Sequence, residues 1–266
     1  MKSLSILGLT ACIMITAFSL TAFIRLNAEH IQKDFEKTDG PGFVVLELFT
    51  SEGCSSCPPA DDLLAKVQKE TEGKPIYLLA YHVDYWDKLG WKDPYSSVDF
   101  SNRQMEYAHW LNVSSIYTPQ IIVNGKVEFV GSDESAIRKS ISAELTYISN
   151  TTLLIRAHPD SGKLNVQFQV THAGKGSYLL IAILQKAAQS KVERGENSGR
   201  TLSHVQIVRK LQNEPLGASG IGKCAIQLPK GFGGQNWEVV GLIQDQNNGR
   251  IFAAAKAELD DGALVR

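Results

Sequence analysis

The feature that most constrains the fold is a pair of cysteines placed between a buried strand and a helix. The apolar run from Phe43 to Phe49 predicts a buried β-strand, and a short polar turn then leads to Cys54 and Cys57. Two prolines follow the second cysteine directly, and proline is favoured in the first turn of a helix. The sequence therefore predicts a strand, a dithiol and a helix N-terminus in one continuous unit.

The position of the two cysteines favours redox chemistry. A helix N-terminus presents unpaired backbone N–H groups and the positive end of the helix dipole, and both stabilise a thiolate. Cysteines in such positions have pKa values of roughly 3.5–7.5, against about 8.5 for a free cysteine. We therefore expect Cys54 to be the accessible attacking thiol, and Cys57 to be the more buried thiol that resolves a mixed disulfide. The structural alternative is an inert disulfide staple.

Zinc and nucleic acid find little support in the sequence. A tetrahedral zinc site needs four ligands, and no second Cys-x-x-Cys or closely spaced Cys/His pair supplies the other two. We predict no metal and no cofactor. The net charge is −1 and no run of Lys or Arg is dense enough to follow a phosphate backbone, so nucleic acid is excluded as an expected partner. The remaining cysteines, Cys12 and Cys224, are isolated, and no role is assigned to them.

The N-terminal segment predicts export. Residues 4–24 contain no charged residue, which indicates either a cleaved signal peptide or a retained membrane anchor. We assign residues 1–28 to this segment and residues 29–42 to a polar linker. Both alternatives place the remaining chain in the periplasm or on the outer face of a membrane, with membrane contact only through this segment.

The residues after the dithiol predict alternating helices and strands. A helix with one apolar face follows the cysteines, with Asp61 and Asp62 in its first turn, where the dipole favours acidic groups. Residues 75–83 then predict a second buried strand, so the connection is expected to be a right-handed parallel crossover. A helix over residues 97–112, an Asn-Gly hairpin and a final helix complete this half of the chain.

Aromatic and ionisable residues follow the second predicted strand. His82, Asp84 and Trp86 lie in this connection. The carboxyl ends of parallel strands form one edge of a sheet, and Cys54 is predicted at that same edge. We expect at least one of the three residues to border the sulfur atoms as part of a substrate-binding surface. In the structural alternative, the tryptophan covers the seam between helix and sheet, and the histidine is a satisfied core residue.

This order of elements resembles the thioredoxin superfamily. Strand, Cys-x-x-Cys, helix, strand, helix, Thr-Pro, hairpin and helix follow one another over about residues 43–149, and residues 118–126 are similar to a glutaredoxin segment. The cysteine motif together with His-Val-Asp-Tyr-Trp also resembles a group of exported bacterial thioredoxin-like proteins of uncharacterised function. The chain departs from thioredoxins at Gly53, where they carry tryptophan, and in the two serines between its cysteines.

The resemblance implies a substrate groove beside the dithiol. It implies a cis peptide bond between Thr118 and Pro119, packed against the sulfurs of Cys54 and Cys57. The backbone of Thr118 would then pair with a bound peptide or thiol. Pro119 also has no N–H to donate to a strand ladder, which suits an edge that faces a ligand.

The sequence pattern changes after residue 150. Apolar residues now recur at every second position or in short runs, and seven strands are predicted, over residues 153–158, 163–171, 177–188, 202–212, 222–229, 236–245 and 250–258. Strands at this spacing suggest a β-sandwich. The longest polar connection, residues 193–201, is predicted to be a plain hairpin loop, with docking of a partner or folding over the dithiol as alternatives.

These features predict a thioredoxin-like α/β domain over residues 43–149, followed by an all-β sandwich-like domain over residues 150–266. The predicted function is an exported thiol–disulfide oxidoreductase that acts through Cys54 and Cys57 on protein thiols and disulfides or on small thiols. One alternative is a Cu(I)-binding module that uses the two thiolates and His82, since soft sulfur ligands select this ion. The other is an envelope adaptor whose dithiol is a permanent disulfide.

Overall fold

The structure is a computed structural model that describes residues 42–259. The predicted signal peptide or anchor, and all of the predicted linker except Gly42, lie outside the described residues. Within residues 42–259, no helix is both long enough and apolar enough to cross a membrane.

The described residues form twelve strands and three α-helices. The helices are α1 (Pro58–Glu70), α2 (Val98–Trp110) and α3 (Glu134–Glu144). The strands are β1 (Val44–Thr50), β2 (Ile76–His82), β3 (Gln120–Val123), β4 (Val127–Val130), β5 (Thr152–Asp160), β6 (Lys163–Thr171), β7 (Ser177–Lys191), β8 (Thr201–Pro215), β9 (Ile221–Gln227), β10 (Trp237–Asp245), β11 (Ile251–Lys256) and β12 (Glu258–Leu259). The predicted helices and strands are therefore confirmed close to their predicted positions, except that the single strand predicted over residues 250–258 is divided into β11 and β12, which belong to different sheets.

The strands form two sheets, and their arrangement corrects the predicted fold class. The larger sheet has eight strands in the order β11-β10-β7-β8-β2-β1-β3-β4, and the smaller has four in the order β12-β5-β6-β9. The prediction of a thioredoxin-like α/β domain followed by an all-β sandwich is wrong, because strands from both halves of the chain share the larger sheet. Whether the chain divides into two folding units near residue 150 stays a prediction.

The physical reason for this difference lies at the outer edge of β2. Strand β2 runs parallel to β1, as predicted, and its other edge is paired in parallel with β8 through Ala80 and Ile207. Hydrophobic periodicity indicates which face of a strand is buried, but it does not specify which distant strand covers its edge. The sheet therefore continues from residues 44–130 into the long strands β7 and β8.

The smaller sheet packs against one end of the larger one. Its strand β6 alternates buried and exposed residues, as expected for a sheet with one face in the core. The buried face contacts β7, β10 and β11 through an apolar cluster that includes Leu153, Ile155, Leu164, Val166, Phe168, Leu179, Ile181, Ile183, Val239 and Ile243. This layer buries one face of the strands that the second half of the chain contributes to the larger sheet.

Two turns, one from each half of the chain, contact each other beside helix α2. The predicted Asn124–Gly125 hairpin joins β3 to β4, and both residues have positive φ angles of 48° and 64°. A Cβ placed on Gly125 would lie 1.9 Å from the carbonyl oxygen of Gly249, so only glycine fits this approach. The Ile251 N–H donates to the Asn124 carbonyl over 3.0 Å, which ties the two turns together.

A buried ion pair attaches α2 to the larger sheet. The guanidinium of Arg103 lies 2.7 Å from the carboxylate of Glu47 on β1, and both side chains are almost fully buried. The hydroxyl of Tyr107 also donates to Glu47, and Arg103 donates to the amide oxygen of Gln244 on β10 over 3.1 Å. The network therefore joins elements from both halves of the chain.

Candidate functional site

The two predicted cysteines form a disulfide bond at the start of α1. Their Cα atoms are 5.4 Å apart, the Cys57 N–H donates to the Cys54 carbonyl over 3.2 Å, and Cys57 is the N-cap of the helix. Both cysteines are 0 % exposed, whereas Ser55 and Ser56 between them are exposed. The expected accessibility of Cys54 is therefore wrong for the oxidised form, because the sulfurs lie beneath the turn that carries them.

The helix N-terminus supplies fewer donors than the sequence argument assumed. Pro58 and Pro59 occupy the first turn, and proline has no N–H to offer a thiolate. A different donor lies near the sulfur: the Ser56 hydroxyl is 3.4 Å from Cys54 Sγ. A thiolate at Cys54 would accept a hydrogen bond from this hydroxyl. Ser56 is thus a candidate site residue that the sequence analysis did not identify.

The Thr118–Pro119 segment lies beside the cysteines. The predicted cis peptide bond is confirmed, and the Thr118 carbonyl oxygen is 3.8 Å from Cys54 Sγ and 3.5 Å from the Ser56 hydroxyl, which donates to it. Gly131 lies between Pro119 and the first turn of α1, because a Cβ placed on Gly131 would be 3.0 Å from Pro119 Cβ and 3.1 Å from Ala60 Cβ. The structure thus brings this segment to the dithiol.

Trp86 and Asp84 have different surroundings. The indole N–H of Trp86 donates to the Thr118 hydroxyl over 2.8 Å, and a Cβ placed on Gly53 would lie 3.0 Å from Trp86 Cβ. Trp86 therefore borders the cysteine turn. Asp84 instead accepts a hydrogen bond of 2.5 Å from the Ser101 hydroxyl, which binds its side chain to α2.

His82 belongs to a set of buried ionisable residues near the cysteine turn. We name this set the buried polar cluster, which comprises Glu52, Asp61, His82, Asp93 and His204. His82 Nδ1 is 2.7 Å from an Asp93 carboxylate oxygen, and the same oxygen accepts from the Glu52 N–H over 2.8 Å. The rings of His82 and His204 are perpendicular, with centroids 4.7 Å apart. The cluster therefore links the end of β2 to β8 and to the turn before Cys54.

Glu52 joins the cluster to its surroundings. Its carboxylate lies 3.1 Å from His204 Nε2, accepts from the Trp91 indole N–H over 2.7 Å, and accepts from the Ser190 hydroxyl. Since Glu52 is only two residues before Cys54, these bonds hold the cysteine turn against the strands of the second half.

Two carboxyl groups of the cluster have pKa values shifted in opposite directions. Burial raises the pKa of Asp61 to about 7, and the nearby His204 and the Thr50 hydroxyl oppose this rise. Burial also raises the pKa of Asp93, but the charge and hydrogen bond of His82 and two backbone N–H groups outweigh it, so the net pKa is lowered. Asp61 can therefore exchange a proton near neutral pH, while Asp93 stays ionised.

Asp61 lies one helical turn after Cys57. Its N–H donates to the Cys57 carbonyl over 3.1 Å, and residues four apart in a helix share one face. Its carboxylate accepts from the Thr50 hydroxyl over 3.2 Å and lies 3.7 Å from His204 Nδ1. A titrating acid thus shares the face of α1 that carries the second cysteine.

The connection between β7 and β8 covers the cysteine turn. The Glu196 carboxylate accepts from the Ser55 N–H over 2.9 Å, and the Asn197 side-chain amide donates to the carbonyls of Glu52 and Cys54, each over 2.9 Å. Hydrogen bonds from Ser55 lower the pKa of Glu196. The prediction of a plain hairpin loop is therefore wrong. The structure shows the alternative, in which this connection folds over the cysteines.

Metal ligation receives no support from the described residues. Within residues 42–259, no group of three or more His, Cys, Asp and Glu side chains is arranged to hold a metal ion. His82, the optional third ligand of the Cu(I) alternative, bonds to Asp93 through Nδ1, while its Nε2 has no hydrogen-bond partner among the described residues.

Several of these residues had only weak sequence signals. Asp61 is four positions after Cys57 and three before the buried Leu64, so its place on the buried helix face was available from the spacing. His204 and Asn197 lie at least 140 positions beyond the cysteines, and no local pattern connects them to the dithiol.

The fold and site define a protein with a covered disulfide at a helix start, set against a cluster of buried acids and histidines. The chain belongs to the family described as "Protein of unknown function (DUF1223)", whose model matches residues 45–244. No curated protein matches the chain.

Solved structures add two likenesses. A crystal structure of an Agrobacterium tumefaciens protein is 26% identical, with a TM-score of 0.60, and the match covers 84% of this chain and 96% of that one. A domain of the outer membrane lipoprotein Omp28 from Porphyromonas gingivalis is 13% identical, and the match covers 42% of this chain and 90% of that domain. Its TM-score of 0.26 is too low to indicate a shared fold. Neither these names nor the family description mentions a thioredoxin.

Proposed function

We propose that this protein is an exported thiol–disulfide oxidoreductase that acts through Cys54 and Cys57. The observation that carries the proposal is the Cys54–Cys57 disulfide at the start of α1, with the titrating Asp61 one turn further along the same helix. Thiol–disulfide exchange needs a reactive sulfur pair and a group that takes up and returns a proton. Both lie in this one helical segment.

The proposed exchange proceeds in two substitution steps. A thiolate of the partner attacks Cys54 Sγ, the Cys54–Cys57 bond breaks, and Cys57 leaves as a thiolate that takes up a proton. A second partner thiolate then attacks the partner sulfur of the mixed disulfide and releases Cys54 as a thiolate. The partner is oxidised by two electrons and the protein is reduced, and the same steps run backwards for a reducing enzyme.

Named residues would support these steps. Asp61 shares a helix face with Cys57 and titrates near neutral pH, so it would exchange the proton of Cys57. The Ser56 hydroxyl would rotate from the Thr118 carbonyl to donate its hydrogen to a Cys54 thiolate. Trp86 and Thr118 form one wall beside Cys54 and would contact the partner there.

Export is part of the proposal and rests on the N-terminal sequence. The uncharged run of residues 4–24 has the composition of a signal peptide or anchor. An oxidising compartment outside the cytoplasm would also maintain the Cys54–Cys57 disulfide.

A structural disulfide is the second candidate function. It is favoured by one observation: both cysteines are fully buried in the oxidised protein, and the β7–β8 connection covers their turn. In this case the protein would be an envelope adaptor whose disulfide stabilises the turn and carries no exchange.

The reactivity of Cys54 tests the proposed function. In the Cys57→Ser variant we expect the alkylation rate of Cys54 to rise with pH with a midpoint below about 8.5, the value of a free cysteine. The expected cause is the helix dipole together with the Ser56 hydroxyl. The added Ser56→Ala replacement should move the midpoint upwards. A midpoint at or above that of free cysteine in Cys57→Ser itself would remove Cys54 as the attacking thiol.

A further inference from the structure

The connection between β7 and β8 has a fixed neck. We name residues 192–200 the cover loop. Val192 is fully buried, its N–H donates to the Arg200 carbonyl over 2.9 Å, and its carbonyl accepts from the Gly199 N–H over 2.8 Å. These bonds close the loop at its base, so the base is an extension of the β7–β8 hairpin.

The tip of the cover loop is held to the cysteine turn by separate contacts. Asn197 is 1 % exposed and bridges two carbonyls of the turn, and the Arg200 guanidinium donates to its side-chain oxygen over 2.8 Å. Glu196 is largely exposed and binds the turn only through Ser55. A Cβ placed on Gly195 would lie 3.4 Å from Trp91 Cβ, so the tip also packs on this side chain.

The tip of the cover loop bonds to main-chain groups of the cysteine turn that a bound peptide would need. The Glu196 carboxylate satisfies the Ser55 N–H, and the Asn197 amide satisfies the Cys54 carbonyl. A main-chain donor and acceptor on the cysteine turn are the groups that an extended peptide would pair with on approaching Cys54. The cover loop occupies both of them.

We propose that the cover loop is an autoinhibitory latch that must release its tip before a cysteine-containing peptide can reach Cys54. The proposal rests on the proposed oxidoreductase function. With the latch closed, the disulfide is buried and the pairing groups of the turn are occupied. With the tip released about the neck, the Ser55 N–H and the acceptor position that Asn197 held on the Cys54 carbonyl become available to the main chain of the peptide. The same carbonyl keeps its hydrogen bond from the Cys57 N–H. Gly195 and Gly199, both with positive φ angles, flank the segment that moves.

The test measures how fast a reduced cysteine-containing peptide reduces the Cys54–Cys57 disulfide in the full-length protein. Thiols are trapped by acid quench and alkylation and counted by mass spectrometry. We expect Glu196→Gln, which replaces a charged acceptor of the Ser55 N–H by a neutral one, and Asn197→Ala, which removes both donations to the turn, each to increase the rate about tenfold. Glu193→Gln, the same change at an exposed position of the same loop, is the matched control and should leave the rate unchanged.

A variant with residues 193–199 replaced by a two-residue Asn-Gly turn removes the latch entirely, and its circular dichroism reports whether the fold is kept. Its rate should be at least as high as that of Asn197→Ala. If the wild type reacts as fast as all latch variants, the proposal of an autoinhibitory latch is wrong, while the proposed oxidoreductase function stands. If neither the wild type nor any variant exchanges with the peptide, both proposals are wrong.

Discussion

Replacement of Arg103 by alanine is expected to lower the free energy of unfolding by about 3–5 kcal/mol, since it leaves the buried Glu47 carboxylate without its charged partner. The guanidinium and carboxylate are 2.7 Å apart, and their exposed fractions are 3 % and 0 %. Arg103 also donates to Gln244, so the variant loses one of the two hydrogen bonds that join α2 to Gln244 on β10 as well. Denaturant unfolding followed by circular dichroism measures the change.

Arg138→Ala is the matched control for this experiment. Arg138 pairs with Glu70 and Glu134 on the surface, where each side chain is about 40 % exposed. Exposed pairs of this kind contribute about 0–1 kcal/mol, so the variant should be nearly as stable as the wild type. Equal losses in the two variants would show that the buried pair has no special role in joining the halves.

Replacement of Asp61 by asparagine is expected to stabilise the protein at alkaline pH. The pKa of Asp61 is about 7 in the folded protein, against an ordinary value of 3.8. The folded state therefore binds more protons than the unfolded state between about pH 4 and 7, and the wild type loses stability as the pH rises through this window. Asparagine does not ionise, and its side-chain oxygen still accepts from Thr50, so at pH 8 the variant should gain up to about 4 kcal/mol.

The stability gained by Asp61→Asn must depend on pH if the ionisation of Asp61 causes it. At pH 4 the two proteins should be about equally stable, because Asp61 is then protonated in the folded state and nearly half protonated in the unfolded state, where its ordinary pKa is 3.8. The control is Asp62→Asn, the exposed neighbour in the same helix turn, whose pH profile should follow the wild type. Thermal unfolding at pH 4, 6 and 8 makes the comparison. A loss of stability in Asp61→Asn that is equal at all three values would show that the acid is ionised and well paired throughout.

The parts of the molecule that could be predicted are those determined by short-range pattern. The strict alternation in β6 and the Asn124–Gly125 turn each specify a local structure whose neighbours are close in sequence. The strand, cysteine pair and helix around Cys54 are of the same kind. Thr118 and Pro119 were also located beside the sulfur, through the order of elements in a resembling family.

The parts that could not be predicted depend on contacts between the two halves of the chain. Nothing in the sequence of β2 indicates that β8 lies along its edge, although this pairing brings His204 to Asp61 and Glu52. The hydrogen bond from Asn197 to the Cys54 carbonyl has the same origin, since the two residues are 143 positions apart. A polar, glycine-containing connection is typical of an open loop, and only the tertiary contact reveals its position over the turn.

The most direct test of the central claim is the reduction potential of the Cys54–Cys57 pair. The protein is equilibrated in thiol–disulfide buffers of defined potential, and the two cysteines are counted as thiol or disulfide by alkylation and peptide mass spectrometry. If the protein is an oxidoreductase, we expect a reduction potential between about −270 and −120 mV, the range of known exchange proteins. A potential below about −300 mV, typical of structural disulfides, would contradict the proposed function and support a permanent staple.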